Sequence, residues 1–212
     1  MVRTILIYVG VASLAAAATW AANIPNATDE GALRLGPMAV AALGPSSAFG
    51  GGGALWAQFD GSWFGVDVRL GGHAYNPGDD NTTSVRWENE YWMYPFKGKF
   101  RPYLAPAVGL CYFAHDVTDG YPRWSERREE RFLPLIAGYF GVRLNSPSSP
   151  FYFTFDGGYK YVDYDGFGTF RNRYFFALSP TVALRAGFEA AFRFDEAAFG
   201  YGLVDVGPCF SF

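Results

Sequence analysis

From Val182 the chain alternates: Val182, Leu184, Ala186, Phe188, Ala190, Phe192 and Phe194 are apolar, while Arg185, Glu189 and Arg193 stand between them. A period of two puts successive side chains on opposite faces of a β-strand. At 3.6 residues per turn the same charges would scatter around a helix. The pattern recurs. Phe64, Val66, Val68 and Leu70 oppose Asp67, Arg69 and His73, and Val85, Trp87, Tyr91 and Met93 oppose Arg86, Glu88 and Glu90. Phe151, Phe153, Phe155, Tyr159 and Tyr161 oppose Thr154, Asp156 and Lys160. Several runs hold for ten or more residues, where soluble strands typically stop near 5–6 and a tilted membrane strand needs about 9–11.

Turn signals divide the chain into ten predicted strands: 33–43, 49–59, 62–75, 85–96, 102–115, 132–144, 151–162, 172–178, 181–194 and 199–212. Asp60-Gly61, Lys97–Arg101, Asn145–Pro150 and Ser179-Pro180 make tight connections, and Asn76–Ser84, Asp116–Arg131 and Asp163–Arg171 make longer polar ones. Short turns at one end and long loops at the other fit a membrane barrel. The expected fold is all-β, a single antiparallel up-and-down transmembrane β-barrel of 10 strands, with 8 as the alternative. The short 172–178 segment and the brief connections Pro45–Ser47 and Asp195–Ala198 are its weak points. Phe59, Trp63, Tyr94, Phe96, Tyr103, Phe151, Phe153, Phe175 and Phe176 fall at the short-turn ends, where an aromatic girdle marks the edge of the apolar band.

Composition sharpens this picture. Half of the 212 residues are hydrophobic and 19% aromatic, with 26 Gly, a net charge of −3 and a mean hydropathy of +0.01. The near-neutral charge gives no ground for a nucleic-acid partner. Arg3, the apolar run Thr4–Trp20 and the small residues that follow read as a secretory signal peptide over 1–21, cut after Ala18 or Ala21, with the barrel domain over 22–212. The competing reading is an uncleaved anchor. Two cysteines are too few for a disulfide framework. Cys111 and Cys209 are expected on opposite walls as free thiols facing the lumen.

The last strand, Leu203-Val204-Asp205-Val206-Gly207-Pro208-Cys209-Phe210-Ser211-Phe212, resembles the C-terminal recognition signal of bacterial outer-membrane barrels, with Phe210 and Phe212 in its pattern. Pro208 departs from it, because proline removes a ladder donor. The segment Phe100-Arg101-Pro102-Tyr103-Leu104-Ala105-Pro106-Ala107-Val108-Gly109-Leu110 is similar to strands of the opacity-protein and porin-like barrel superfamily. These resemblances imply a bacterial outer-membrane location, with outer-membrane lipid, lipopolysaccharide and the barrel-insertion machinery as partners. They tie the chain to no single activity.

If the apolar faces meet lipid, the opposite faces line the lumen. That set holds Arg34, Arg69, Arg86, Arg143, Lys160, Arg185 and Arg193 against Asp60, Asp67, Glu88, Glu90, Asp156, Glu189 and Asp205. Seven bases against seven acids predict a salt-bridged plug, since unpaired buried ions are costly; a narrow solute path is the alternative. His73 and His115, near Asp79, Asp80 and Asp116, are candidate bases at the rim, as in ten-stranded outer-membrane proteases. No protease motif or Ser-His-acid arrangement accompanies them, and Asp79-Asp80 lacks metal-ligand spacing. No catalytic, metal or cofactor site is therefore expected. In the predicted loop 116–131, Arg123, Trp124, Arg127 and Arg128 are candidates for contact with lipopolysaccharide phosphates or a host surface molecule. A solvated mixed-charge loop is the plainer reading. The expected function is non-enzymatic, in envelope integrity, surface contact or adhesion. A narrow pore is the alternative, and a lipid A or peptide hydrolase the second.

Overall fold

The computed structural model describes residues 31–44, 48–76, 82–118, 126–145, 151–162, 165–179, 181–193 and 198–212. Ten strands follow one another: β1 (Leu33–Leu43), β2 (Phe49–Asp60), β3 (Phe64–Asn76), β4 (Thr82–Met93), β5 (Phe100–Thr118), β6 (Glu126–Asn145), β7 (Phe151–Val162), β8 (Asp165–Ala177), β9 (Val182–Arg193) and β10 (Ala198–Ser211). Each pairs antiparallel with its neighbours in sequence, and β1 pairs with β10 to close the barrel. Ten strands, not eight, is the answer. The predicted signal peptide, Asp79, Asp80, Arg123 and Trp124 lie outside the described residues.

The tight connections gather at one end. There the Gly61 amide donates to the Phe64 carbonyl at 2.8 Å, and the Leu178 amide to that of Val182 at 2.8 Å. Phe212 brings the C-terminus to the same end by donating its amide to the Leu33 carbonyl at 2.9 Å. Closure matters because apolar surroundings offer no partner to an unpaired backbone group. The seam is irregular at one place. Its register passes from Leu35–Phe210 to Ala39–Val206, and in the interval Pro37 stands opposite Pro208. Neither can donate to a ladder. Gly36 and Gly207 flank them, and a Cβ at either would strike the opposing proline's carbonyl oxygen, so the two backbones approach closely there. Pro208 still holds register with Leu184 on the β9 side.

Four sequence expectations change. The predicted loop 163–171 and short strand 172–178 form one strand, β8, of 13 residues. Gly166, Gly168 and Thr169 hide its alternation, and Arg171 and Arg173 face inward, where Arg171 lies between Asp156 of β7 and Glu189 of β9 in the register. The predicted loop 116–131 is largely strand. β5 and β6 run for 19 and 20 residues, and their ladder continues to Thr118–Glu126. Charge there marks departure from the apolar band, not the end of pairing. Finally, Tyr94, Tyr103 and Phe175 are buried, whereas Trp63, Phe96, Phe151 and Phe176 are exposed. The first three occupy inward parity and belong to the interior, not to a girdle. β4 also starts and ends earlier than predicted, at Thr82 and Met93.

Candidate functional site

Polarity is inverted relative to a soluble protein. Outward positions carry Leu55, Phe64, Leu104, Val108, Ile136, Phe140, Phe155, Leu184, Phe188, Val204 and Val206, all exposed. Inward positions carry Arg34, Asp60, Arg143, Asp156, Lys160, Arg171, Arg185 and Glu189, all buried. On β6 the outward apolar run from Phe132 to Leu144 spans roughly 40 Å at ~3.4 Å per residue, or about 28 Å along the membrane normal at ~45° tilt, close to the ~25 Å band of such barrels. An apolar exterior around a charged interior has no use in water. The fold is that of a transmembrane β-barrel.

The interior charges form stacked groups. Nearest the long-loop end, Glu189 takes two bonds from Arg86, Nη1 to Oε1 and Nη2 to Oε2, both at 3.0 Å. It also accepts from Lys160 Nζ and from the Tyr201 hydroxyl, each at 2.6 Å. Glu88 receives the Tyr139 hydroxyl at 2.8 Å and lies 3.3 Å from Arg86 and 3.4 Å from Lys160. At mid-barrel, Arg171 bridges Asp156 and Glu90, both at 2.5 Å, and its guanidinium sits 3.3 Å from the centre of the Tyr139 ring. Arg173 also donates to Glu90, at 2.7 Å. The indole of Trp56 donates to Asp67 at 2.8 Å, and the Tyr103 hydroxyl to Asp156 at 2.6 Å. Along one wall, Asp205 pairs with Arg185 at 2.5 Å and Arg69 at 3.1 Å, and Arg185 also contacts the Met38 sulfur.

Near the short turns, Arg34 and Arg143 flank Asp60, and both lie over the Tyr152 ring. Arg101 donates to the carbonyls of Gly61 and Ser62 and covers the Tyr94 ring. Trp92 stacks on Tyr103 with centroids 5.2 Å apart, and Tyr152 on Phe175 at 4.2 Å. Rings and guanidiniums together form a floor. The mid-barrel gap bounded by Asp67, Arg69, Glu90, Arg173, Glu189 and Asp205 leaves about 10 Å³, room for about one water. A second recess of the same size, lined by Val40, Arg69, His73, Arg86 and Leu203, lies toward the long loops.

These positions bear on the residues singled out from sequence. The fourteen lumen candidates all fall at inward register positions, Arg193 half-exposed at the outer end of β9. Arg101, Arg171 and Arg173 join them, so three buried bases are added to the expected balance of seven against seven. The Arg-x-Arg spacing of Arg171 and Arg173 was the available signal, masked because the segment reads as a loop. Cys111 and Cys209 are free and buried on separate strands. His73 lines the outer recess, while His115 is on β5 opposite Thr82. They stand two strands and two rungs apart, which places their Cα atoms roughly 12 Å from each other. No group of His, Cys, Asp or Glu suited to a metal occurs among the described residues. Arg127 and Arg128 sit on β6 opposite Val117 and Asp116, on a strand and not in a loop. Phe210 and Phe212 are exposed at the short-turn end.

No protein-family model matches the chain, and no curated protein sequence does. Several solved barrels are similar in fold. Neisserial surface protein A is 15% identical with a TM-score of 0.45, over 86% of this chain and 100% of its own. The translocator domain of the autotransporter NalP from Neisseria meningitidis is 11% identical with a TM-score of 0.47, over 97% of each chain. The outer membrane protease OmpT from Escherichia coli is 7% identical with a TM-score of 0.43, over 90% of this chain and 99% of its own.

Proposed function

We propose that the chain is a non-enzymatic outer-membrane barrel that keeps its lumen closed and holds a two-stranded ribbon at the cell surface for contact with another surface. The observation that carries this is the length of β5 and β6. Residues 126–131 of β6 lie beyond the apolar run that begins at Phe132, still paired with Phe113–Thr118 of β5. A barrel that only had to seal itself would need no ladder there, since about 9–11 residues cross the membrane. The long-loop end faces outward in barrels of this kind, which directs the ribbon away from the cell. The packed interior supports contact over transport, because an eight- to ten-stranded barrel is filled by its own side chains. Outer-membrane lipid and lipopolysaccharide then surround the apolar belt. Exposed Phe210 and Phe212 at the end of β10 suit delivery by the barrel-insertion machinery.

Trypsin treatment of intact Gram-negative cells expressing the full chain tests this. Cleavage should fall within 119–131 and leave the barrel as a heat-modifiable band on gels. Removing Phe212 should lower the amount of cleaved, folded barrel. Full protection of the ribbon on intact cells, with cleavage only after lysis, would place it on the other side of the membrane and overturn the proposal.

A further inference from the structure

At the short-turn end two turns are tied together. The Tyr94 amide donates to the Trp63 carbonyl at 2.9 Å. Buried Arg101 donates to the carbonyls of Gly61 and Ser62 at 2.9 and 2.7 Å. These bonds hold the β4–β5 turn, residues 94–99, against the β2–β3 turn, residues 61–63. The result is a fixed platform on the outside of the rim. Trp63, Phe96 and Phe100 are 57–63% exposed, and Lys97 and Lys99 are exposed between the two phenylalanines. Lys97 Nζ lies 4.9 Å from the centre of the Trp63 ring. Gly98 separates the lysines at a φ of 133°, which glycine adopts without a Cβ penalty. A Cβ there would meet nothing within 4 Å, so the backbone between the lysines is uncovered.

Charge on these turns is one-sided. The four short connections, 61–63, 94–99, 146–150 and 178–181, contain two charged residues, and both are these lysines. Among the described residues neither has a carboxylate partner. Asp60, at the adjoining end of β2, is buried and flanked by Arg34 and Arg143. Next to the lysines the wall is apolar: Phe64, Met93, Leu104 and Leu144 are exposed. Phe64 is opposite Met93, and Met93 opposite Leu104, in the register. A cationic rim directly against an apolar wall matches a molecule with an anionic head and apolar chains. Tryptophan settles at the headgroup level, and lysine stems lie along apolar surface while the ammonium reaches the polar layer. A soluble anion would use the lysines but would leave Trp63, Phe96 and Phe100 without a role.

We propose that the paired turns hold an anionic phospholipid of the inner leaflet, its phosphate between Lys97 and Lys99 and its glycerol and upper chains against Trp63, Phe96 and Phe100. The leaflet follows from the fold, since short turns face the periplasm in barrels of this kind. A lysine near an anionic membrane surface favours binding by about fivefold. A zwitterionic headgroup gives up most of that gain, because its own cation also meets the lysines. The bound lipid fixes the depth of the barrel at this rim, which keeps the opposite end at a constant height above the membrane. The inference goes beyond the surface-contact role and uses no residue of the ribbon, so either can fail without the other.

The test uses the full chain folded in phosphatidylcholine vesicles that contain phosphatidylglycerol or, in parallel, more phosphatidylcholine, spin-labelled near the headgroup. The label quenches tryptophan on contact, and subtracting the signal of Trp63→Phe isolates Trp63. Half-quenching by phosphatidylglycerol should need a roughly 25-fold lower mole fraction than by phosphatidylcholine at low salt, about fivefold from each lysine. Molar salt should remove most of that preference. Lys97→Gln and Lys99→Gln should each lower it about fivefold, and the double variant should show none. The double variant K97R/K99R should keep it, and heat-modifiable migration confirms that every variant is folded. Equal half-quenching by the two lipids in the wild type, or an undiminished preference in K97Q/K99Q, would overturn the inference. So would loss of the preference on adding millimolar inorganic phosphate, which would make the turns a site for a free anion.

Discussion

Replacing Glu189 by alanine tests whether the barrel interior is a dry ion-paired plug. Glu189 accepts from Arg86 twice, from Lys160 and from Tyr201, at distances of 2.6–3.0 Å. Adding four charge-assisted bonds at ~1.5–3 kcal/mol each would overstate the loss, since they share one carboxylate and couple strongly. Counting charge is safer. After the substitution Arg86 and Lys160 have only Glu88 between them, at 3.3 and 3.4 Å, and one buried cation loses its counter-ion. Breaking a buried pair in that way costs about 3–5 kcal/mol, whereas an exposed pair in a hydrated pore contributes ~0–1 kcal/mol. Urea unfolding of the reconstituted protein, followed by tryptophan fluorescence, separates the two cases. With a slope of about 2–3 kcal/mol per molar, the midpoint should fall by roughly 1–2 M. The pair of substitutions Lys160→Met and Glu189→Leu removes a cation together with the anion and should cost less than Glu189→Ala alone. A midpoint shift below about 0.3 M for Glu189→Ala, on that same slope, would refute the dry plug.

Two further outcomes follow from the walls of the barrel. Ile136 is exposed within the apolar run of β6, so Ile136→Arg should destabilise the folded state in vesicles by about 2–4 kcal/mol; an unchanged urea midpoint would mean that this face does not meet lipid. A Cβ on Gly158 would sit 2.7 Å from the Tyr139 ring and clash with the Gly138 carbonyl oxygen, whereas one on Gly138 meets nothing within 4 Å. Gly158→Ala should therefore cost about 1–3 kcal/mol by displacing Tyr139 from Glu88 and Arg171, and Gly138→Ala should cost under about 0.5 kcal/mol. Equal midpoints for the two variants would contradict the packing.

How much of this was legible in the sequence depended on which face of a strand carried the signal. The outward face must be apolar, so strands with an unbroken outward series were readable with near-correct ends: β7 and β9 match their predicted spans within a residue. The inward face tolerates charge, rings and glycine alike. β8 suffered for that reason, since its outward series Gly166, Gly168, Phe170 and Asn172 is weak while Arg171 and Arg173 point into the barrel. Both faces then look polar, as a loop does. Tyr94 and Tyr103 illustrate a second limit: they lie beside a turn, where one residue of uncertainty in parity separates a lipid-facing ring from one in the floor. The hidden part of the interior followed from the first limit, because Arg171 and Arg173 could not be counted as lumen residues before β8 was a strand.

The β5–β6 ribbon exposes a third limit, which concerns solvent more than structure. Alternation records a difference between two environments, lipid outside and packed interior within. Beyond Phe132 the outward apolar series ends, and the difference vanishes although the register from Phe113–Arg131 to Thr118–Glu126 continues. Charge is therefore an ambiguous boundary signal: the run Glu126 to Arg131 reads as part of a loop, yet the ladder places it on a strand that outlasts the apolar band. A solvated loop and a strand that has left the lipid carry the same composition. Only the backbone pairing with β5 separates them.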